Sequence, residues 1–240
     1  MCSHIEKYGP NFDRGMANFM AGILRPQSAL EIGCGIGLYI NFMERFTTAA
    51  VKDQGRFLGV EPEPMVQAKV FGQDPYRAQQ LMLNVLDAEA QQAVADLGTF
   101  DVVLSSEVIE HIPCDLHSAF LDVLTDRTGK FLVFGAARPG QGGTGHVCLK
   151  WTRDQYLAEF NKRGLVHLPI LSGRLRSACY NGWDKGQNTF VVANPKFVEE
   201  NGGVKAVEER LGGLKDVGDL FPEFMHDVFE PIKTKKQTCE

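Results

Sequence analysis

The chain has no apolar stretch near the about 20 residues needed to cross a bilayer, so the sequence excludes a membrane-spanning helix. Its first residues include Glu6 and Asp13 and lack the basic patch and apolar run of a secretory leader. Positive charge is also in short supply: 25 Lys and Arg against 30 Asp and Glu leave a formal charge of −5. No basic stripe is available to neutralise a phosphate backbone, which disfavours a long duplex partner. The six cysteines, Cys2, Cys34, Cys114, Cys148, Cys179 and Cys239, include no C-x-x-C pair, in a chain large enough not to need disulfide staples. That pattern points to a reducing compartment. Cytoplasm is the expected location, with no membrane partner and a monomer or homodimer as the expected assembly.

What is present is ordinary globular composition, 44% hydrophobic and 23% charged over 240 residues, which suits a soluble enzyme with one large core. Residues 11–24 carry Phe12, Met16, Phe19, Met20 and Ile23 at helical spacing before Pro26. Then come a short apolar run at 29–33, a glycine-rich turn and a helical stretch at 38–46. Strands follow at 56–60, around 82–86, at 100–104 and at 130–137, with helices at 64–71 and from Pro113 to about 126 between them. This rhythm predicts an α/β, doubly wound Rossmann-like sheet, mostly parallel with helices on both faces. Thr152 and Gln155 form a capping box that starts another helix, closed by Gly164. Stretches 165–171 and 189–193 are expected to pair through a long loop as an antiparallel end, the last strand running against the others. We divide the chain into an N-terminal helical segment (1–28), a core domain (29–195) and a C-terminal helical extension (196–240) with a helix near 204–211.

Leu30-Glu31-Ile32-Gly33-Cys34-Gly35-Ile36-Gly37 puts three alternating glycines between a strand and a helix. Without Cβ atoms, such a turn lets backbone amides approach a ligand at the carboxyl edge of the sheet. The spacing is not the G-x-G-x-x-G of dinucleotide folds, which disfavours a nicotinamide oxidoreductase. The second strand ends in Gly59-Val60-Glu61-Pro62, so a carboxylate stands at the neighbouring strand tip, positioned to accept both hydroxyls of a ribose.

These two stretches, with Phe100-Asp101-Val102-Val103-Leu104-Ser105-Ser106-Glu107-Val108-Ile109-Glu110-His111-Ile112-Pro113, resemble the class I S-adenosylmethionine-dependent methyltransferases over about residues 25–195. The resemblance implies S-adenosylmethionine as cofactor. It places Glu31 near the methionine amino group, with Gly33, Cys34, Gly35 and Gly37 lining the amino-acid end and Glu61 with Pro62 clamping the ribose. Asp87, followed by Ala88, matches the position that receives the adenine amino group, an exposed loop aspartate being the alternative. Ser105 and Ser106 would line the methionine side.

On the acceptor side, Glu107-x-x-Glu110-His111 gathers ligand-type side chains within one turn, and Gly145-His146-Val147 precedes Lys150-Trp151-Thr152 on the loop after the fifth strand. The combination is similar to small-RNA methyltransferases acting on a terminal ribose and, less closely, to ubiquinone-pathway O-methyltransferases. In the RNA branch these residues bind a divalent metal, which implies Glu107, Glu110, His111 and His146 as ligands for Mg²⁺ or Mn²⁺. Without a metal, His146 is the first choice for general base, with Glu107 beside it. Trp151, Tyr180 and Trp183 are candidates to stack on a planar acceptor. The expected activity is methyl transfer to an oxygen of a small-molecule acceptor, with nucleic acid disfavoured by charge. Metal-assisted methylation of an RNA end and a non-catalytic cofactor-binding protein are the alternatives.

Overall fold

The computed structural model describes residues 12–48, 56–62, 79–81, 84–180 and 189–214. A seven-stranded sheet runs in the order β3-β2-β1-β4-β5-β7-β6, formed by β1 (Ser28–Ile32), β2 (Arg56–Val60), β3 (Gln79–Leu81), β4 (Phe100–Ser106), β5 (Thr128–Gly135), β6 (Val166–His167) and β7 (Phe190–Ala193). Pairings from β3 through β5 are parallel, while β7 lies antiparallel between β5 and β6. The order reverses between β1 and β4, which pair directly. At such a switch point the loops leaving two neighbouring strands diverge and open a crevice.

Central strands are apolar on both faces because helices cover both. One core joins Val102, Leu104, Phe131, Val133, Val191 and Ala193 to α1 (Arg14–Phe19), α2 (Leu38–Thr48), α6 (Pro169–Ala178), α7 (Pro195–Glu200) and α8 (Gly203–Gly212). The alternate residues Val103, Leu132, Phe134, Phe190 and Val192 face α3 (Ala88–Asp96), α4 (His117–Arg127) and α5 (Arg153–Lys162). The strand period of two thus separates two cores along single strands.

The capping box is present: Gln155 Oε1 accepts from Thr152 N at 2.8 Å, and Gly164 leaves α5 at φ 88°. Other expectations need correction. The third strand is Gln79–Leu81, upstream of 82–86, and Val85 and Leu86 sit in a turn that Asn84 organises by accepting from Leu86 N. Pro113 does not open α4; a single 3-10 turn, Cys114–Leu116, intervenes. Only Val166–His167 of the stretch 165–171 is strand. Pro169 instead starts α6, whose Leu171 and Leu175 are fully buried, and proline at the first helical position costs no hydrogen bond. The N-terminal helix changes to a π turn at Met20–Leu24, closed by Arg25 at φ 46°. Helix 64–71 and Trp183 lie outside the described residues.

The cysteine reading also changes, because Cys114 and Cys148 are joined as a disulfide with their Cα atoms 5.4 Å apart. Their 34-residue separation carries no pairing signal, and only folding brings them together. Residues 195–214 pack as helices on the core, with Val198 and Val207 buried. Glu208 Oε1 accepts from Ile170 N at 2.7 Å and Leu171 N at 3.1 Å, satisfying amides in the first turn of α6 that have no partner within the helix. Among the described residues no helix is long and apolar enough to cross a membrane.

Candidate active site

The loop after β1 turns on three left-handed glycines, Gly33 (φ 78°), Gly35 (φ 52°) and Gly37 (φ 70°). Gly33 N and Cys34 N both donate to Val60 O, at 2.8 and 3.1 Å, so the loop is sewn to the tip of β2. Gly37 N closes the turn on Cys34 O at 2.7 Å. A Cβ on Gly33 would lie 2.3 Å from Val108 Cγ2, so the segment after β4 rests directly on this loop. Cys34 packs against β2, where a Cβ on Gly59 would approach its Sγ to 2.7 Å.

Two carboxylates organise the crevice. Glu61 Oε2 accepts from Gly35 N at 2.8 Å, and Glu31 Oε2 accepts from Ile40 N at 3.0 Å in the first turn of α2. Both glutamates are buried. Burial, more than offsetting the Ile40 hydrogen bond and reinforced by the charge of Glu61, holds the Glu31 carboxyl well above the usual range. Two buried carboxylates beside a glycine turn suit a ligand that carries positive charge. Pro62 is exposed at the end of β2. Asp87 sits at the start of α3 on the surface, its Oδ1 accepting from Asn84 Nδ2 at 3.1 Å. Ser105 lies at the end of β4 with its Oγ buried and no hydrogen-bond partner among the described residues, and Ser106 Oγ packs against Gly135.

β4 ends in a sharp reversal. Glu107 has φ 56°, a left-handed conformation that costs a non-glycine residue about 1–2 kcal/mol. It is held there by Glu107 N donating to Gly135 O at 3.0 Å. Its carboxyl neighbours that of Glu110 and accepts from Gln141 Nε2 at 3.4 Å. Burial, then the charge and hydrogen bond of Glu110, push it up to about 8, with Gln141 pulling the other way.

Glu110, His111 and His146 each offer a ligand atom, all within 4.8 Å of one another. Glu107 stands outside this group, so three of the four residues expected to form a metal set are gathered, and the fourth lies beside Glu110. His111 Nδ1 lies 3.0 Å from Gly145 O. A carbonyl only accepts, so Nδ1 carries the proton and Nε2 is left with its lone pair, the arrangement that orients imidazole ligands. The His111 and His146 rings meet edge-on at 5.1 Å. His146 packs against Gly143, where a Cβ would come within 2.2 Å of its ring, and its Nδ1 is buried without a hydrogen-bond partner among the described residues. Two imidazoles and one carboxylate fit Mn²⁺ or another divalent ion that accepts nitrogen ligands better than the Mg²⁺ also expected.

Residues 30–127 match the family model described as a methyltransferase domain. That match runs from β1 to the end of α4 and includes the glycine turn, Glu61 and the segment after β4. No curated relative matches the sequence. Among solved structures, the plantazolicin methyltransferase in complex with a pentazolic desmethyl analogue and S-adenosylhomocysteine is 11% identical, with a TM-score of 0.50 over 80% of this chain and 89% of that one. That likeness speaks for the fold. A TehB-like S-adenosylmethionine-dependent methyltransferase from Corynebacterium glutamicum is 16% identical over 80% of this chain and 91% of that one, TM-score 0.47. Magnesium protoporphyrin IX methyltransferase from Synechocystis PCC 6803, with bound S-adenosylmethionine, is 12% identical over 75% and 76%, TM-score 0.47. The glycine turn with its two buried carboxylates fits the cationic cofactor S-adenosylmethionine.

Of the candidate stacking residues, Trp151 turns inward against His117 and Tyr156, whereas Tyr180 is 54% exposed beneath the Arg14 guanidinium at 4.1 Å. Sequence reading missed Gln141, Val108 and the disulfide. The glycine run before His146 was the one available signal, since Gly143 and Gly145 admit the two imidazoles.

Proposed function

We propose that this methyltransferase acts on a hydroxyl oxygen of a small-molecule acceptor, with Glu110, His111 and His146 holding a divalent ion at the acceptor side. The observation that carries this reading is the convergence of ligand atoms of those three side chains within 4.8 Å, two of them on the segment whose Val108 rests against the glycine turn. When bound, such an ion would lower the pKa of a coordinated hydroxyl and favour the oxyanion at neutral pH. The sulfonium cofactor supplies an already activated methyl group, so the protein's task is alignment and exclusion of water.

Each residue then has a defined part. Glu61 fixes the glycine turn through Gly35 and accepts from the cofactor ribose, while Glu31 faces the cationic methionine end. Ser105 and Ser106, at the end of β4, line the methionine side of the cofactor. Gly145 O holds His111 with Nε2 presented, and Glu107 keeps Glu110 in place. Asp87 stands at the start of α3, where it serves the adenine end. A metal-free variant of the same chemistry is supported by the buried Nδ1 of His146, which would take the hydroxyl proton as a general base.

The test is S-adenosylhomocysteine production from a panel of hydroxylated metabolites, before and after EDTA treatment and after Mn²⁺ or Mg²⁺ add-back. Metal-restored turnover, lost in Glu110→Ala and His146→Ala with cofactor affinity retained, supports the reading. Turnover indifferent to EDTA but lost in His146→Ala leaves the general-base variant, and turnover on amine acceptors alone removes the oxygen assignment.

A further inference from the structure

The disulfide joins the two loops that build the acceptor side. Cys114 lies four residues after Glu110, in the 3-10 turn, and Cys148 lies two residues after His146. Between the end of β5 and the start of α5 the chain has no regular secondary structure, and Val147 is 61% exposed. Several contacts tie this stretch to the 107–117 segment, the edge-on meetings of His111 with His146 and of His117 with Trp151 among them. Val147 N and Cys148 N donate to Glu110 O at 2.8 and 3.1 Å, Gly145 O receives His111, Gln141 reaches Glu107, and the sulfur bridge is the covalent link. The position of His146 relative to Glu110 therefore depends on a loop pinned at one end by sulfur.

We propose that Cys114 and Cys148 form a reversible thiol clasp that sets whether the His146 loop is held in ligand-binding register, so that the acceptor side is switched by thiol–disulfide exchange. The proposal rests on the metal reading above for its functional consequence but not for its chemistry. Cys114 is partly exposed and Cys148 is 3% exposed, so an external thiol attacks the sulfur of Cys114. A mixed disulfide forms there and the bond to Cys148 breaks, its sulfur leaving with the electron pair and taking up a proton. His117 stands at that sulfur: its Nε2–H donates to Ile112 O at 3.0 Å, leaving Nδ1 as an acceptor 4.0 Å from Cys148 Sγ. A second external thiol resolves the mixed disulfide. Two thiols are oxidised to one external disulfide, and two cysteine thiols result; a low-molecular-weight disulfide such as oxidised glutathione drives the reverse.

Three readouts test this on the full chain: peptide mass spectrometry after alkylation in defined glutathione buffers, hydrogen exchange of residues 143–150, and Mn²⁺ affinity. The bridge is expected to form with oxidised glutathione and open with dithiothreitol. Opening should speed exchange of the Val147 and Cys148 amides by about tenfold or more and weaken Mn²⁺ binding by a similar factor. Cys114→Ser should stay in the weak, fast-exchanging state whatever the buffer, while the oxidised wild type serves as the folded reference. Complete alkylation of both cysteines after oxidised glutathione, retention of zinc by the two thiols, or redox-insensitive exchange would each overturn the clasp. If exchange follows redox state while Mn²⁺ binds in neither, the clasp stands and the metal reading fails; equal Mn²⁺ affinity in both states sinks the switch alone.

Discussion

Glu61 does two things at once, and replacing it separates them. Its Oε2 accepts from Gly35 N at 2.8 Å, which fixes the middle of the cofactor turn, and its charge lies in the crevice with Glu31. Glu61→Gln keeps an amide oxygen that can accept from Gly35, so the turn should hold while charge is lost. A hydrogen bond to a charged group contributes about 1.5–3 kcal/mol, and about 1.4 kcal/mol corresponds to tenfold in affinity. The glutamine variant should therefore sit near the low end, about tenfold weaker for S-adenosylmethionine. Glu61→Ala also abandons the half-buried amide of Gly35, and should fall toward the upper end, about 100-fold. Titration calorimetry with S-adenosylmethionine and S-adenosylhomocysteine measures both, with melting temperatures confirming that each variant is folded. A folded Glu61→Ala protein that binds both ligands within twofold of wild type would refute the ribose role and the account of the turn.

Gly33→Ala should abolish cofactor binding and lower stability, because φ 78° is left-handed and the new Cβ would lie 2.3 Å from Val108 Cγ2; a urea melt unchanged from wild type would contradict this. Glu208→Ala should destabilise the fold by about 2–3 kcal/mol, since two amides at the start of α6 lose a buried charged acceptor; denaturant midpoints check it. The pH dependence of the ligand-free protein should run against the usual carboxylate pattern. Glu31 has its folded pKa raised above the ordinary 4.5, so the folded state keeps a proton that the unfolded state has released. Stability therefore falls as pH rises from about 4.5 through the raised value, and Glu31→Gln should flatten this slope in thermal melts across that window.

The glycine turn, the acidic strand tip and the capping box were legible in the sequence because each is set by local backbone requirements. Three glycines at alternating positions demand φ values that other residues avoid, and Thr152 with Gln155 satisfies amides within one turn. The two-faced cores were likewise readable, since Val102 to Leu104 and Phe131 to Phe134 are apolar on both faces. Helix α6 was not: residues 165–171 read as one strand, and it is Glu208, far along the chain, that satisfies the first amides of the helix. The third strand was misplaced for a related reason, as Gln79–Leu81 has no alternating apolar pattern and is chosen by pairing with β2.

At the acceptor side the residue types came from sequence, but their grouping came from tertiary structure. Which of Glu107 and Glu110 turns toward the histidines depends on the left-handed reversal at Glu107, and the tautomer of His111 depends on a carbonyl 34 residues away. The joining of Cys114 to Cys148 depends on the same convergence of loops. Local conformational preference is written residue by residue, whereas distances between the ends of separate strands exist only once the sheet has fixed their order.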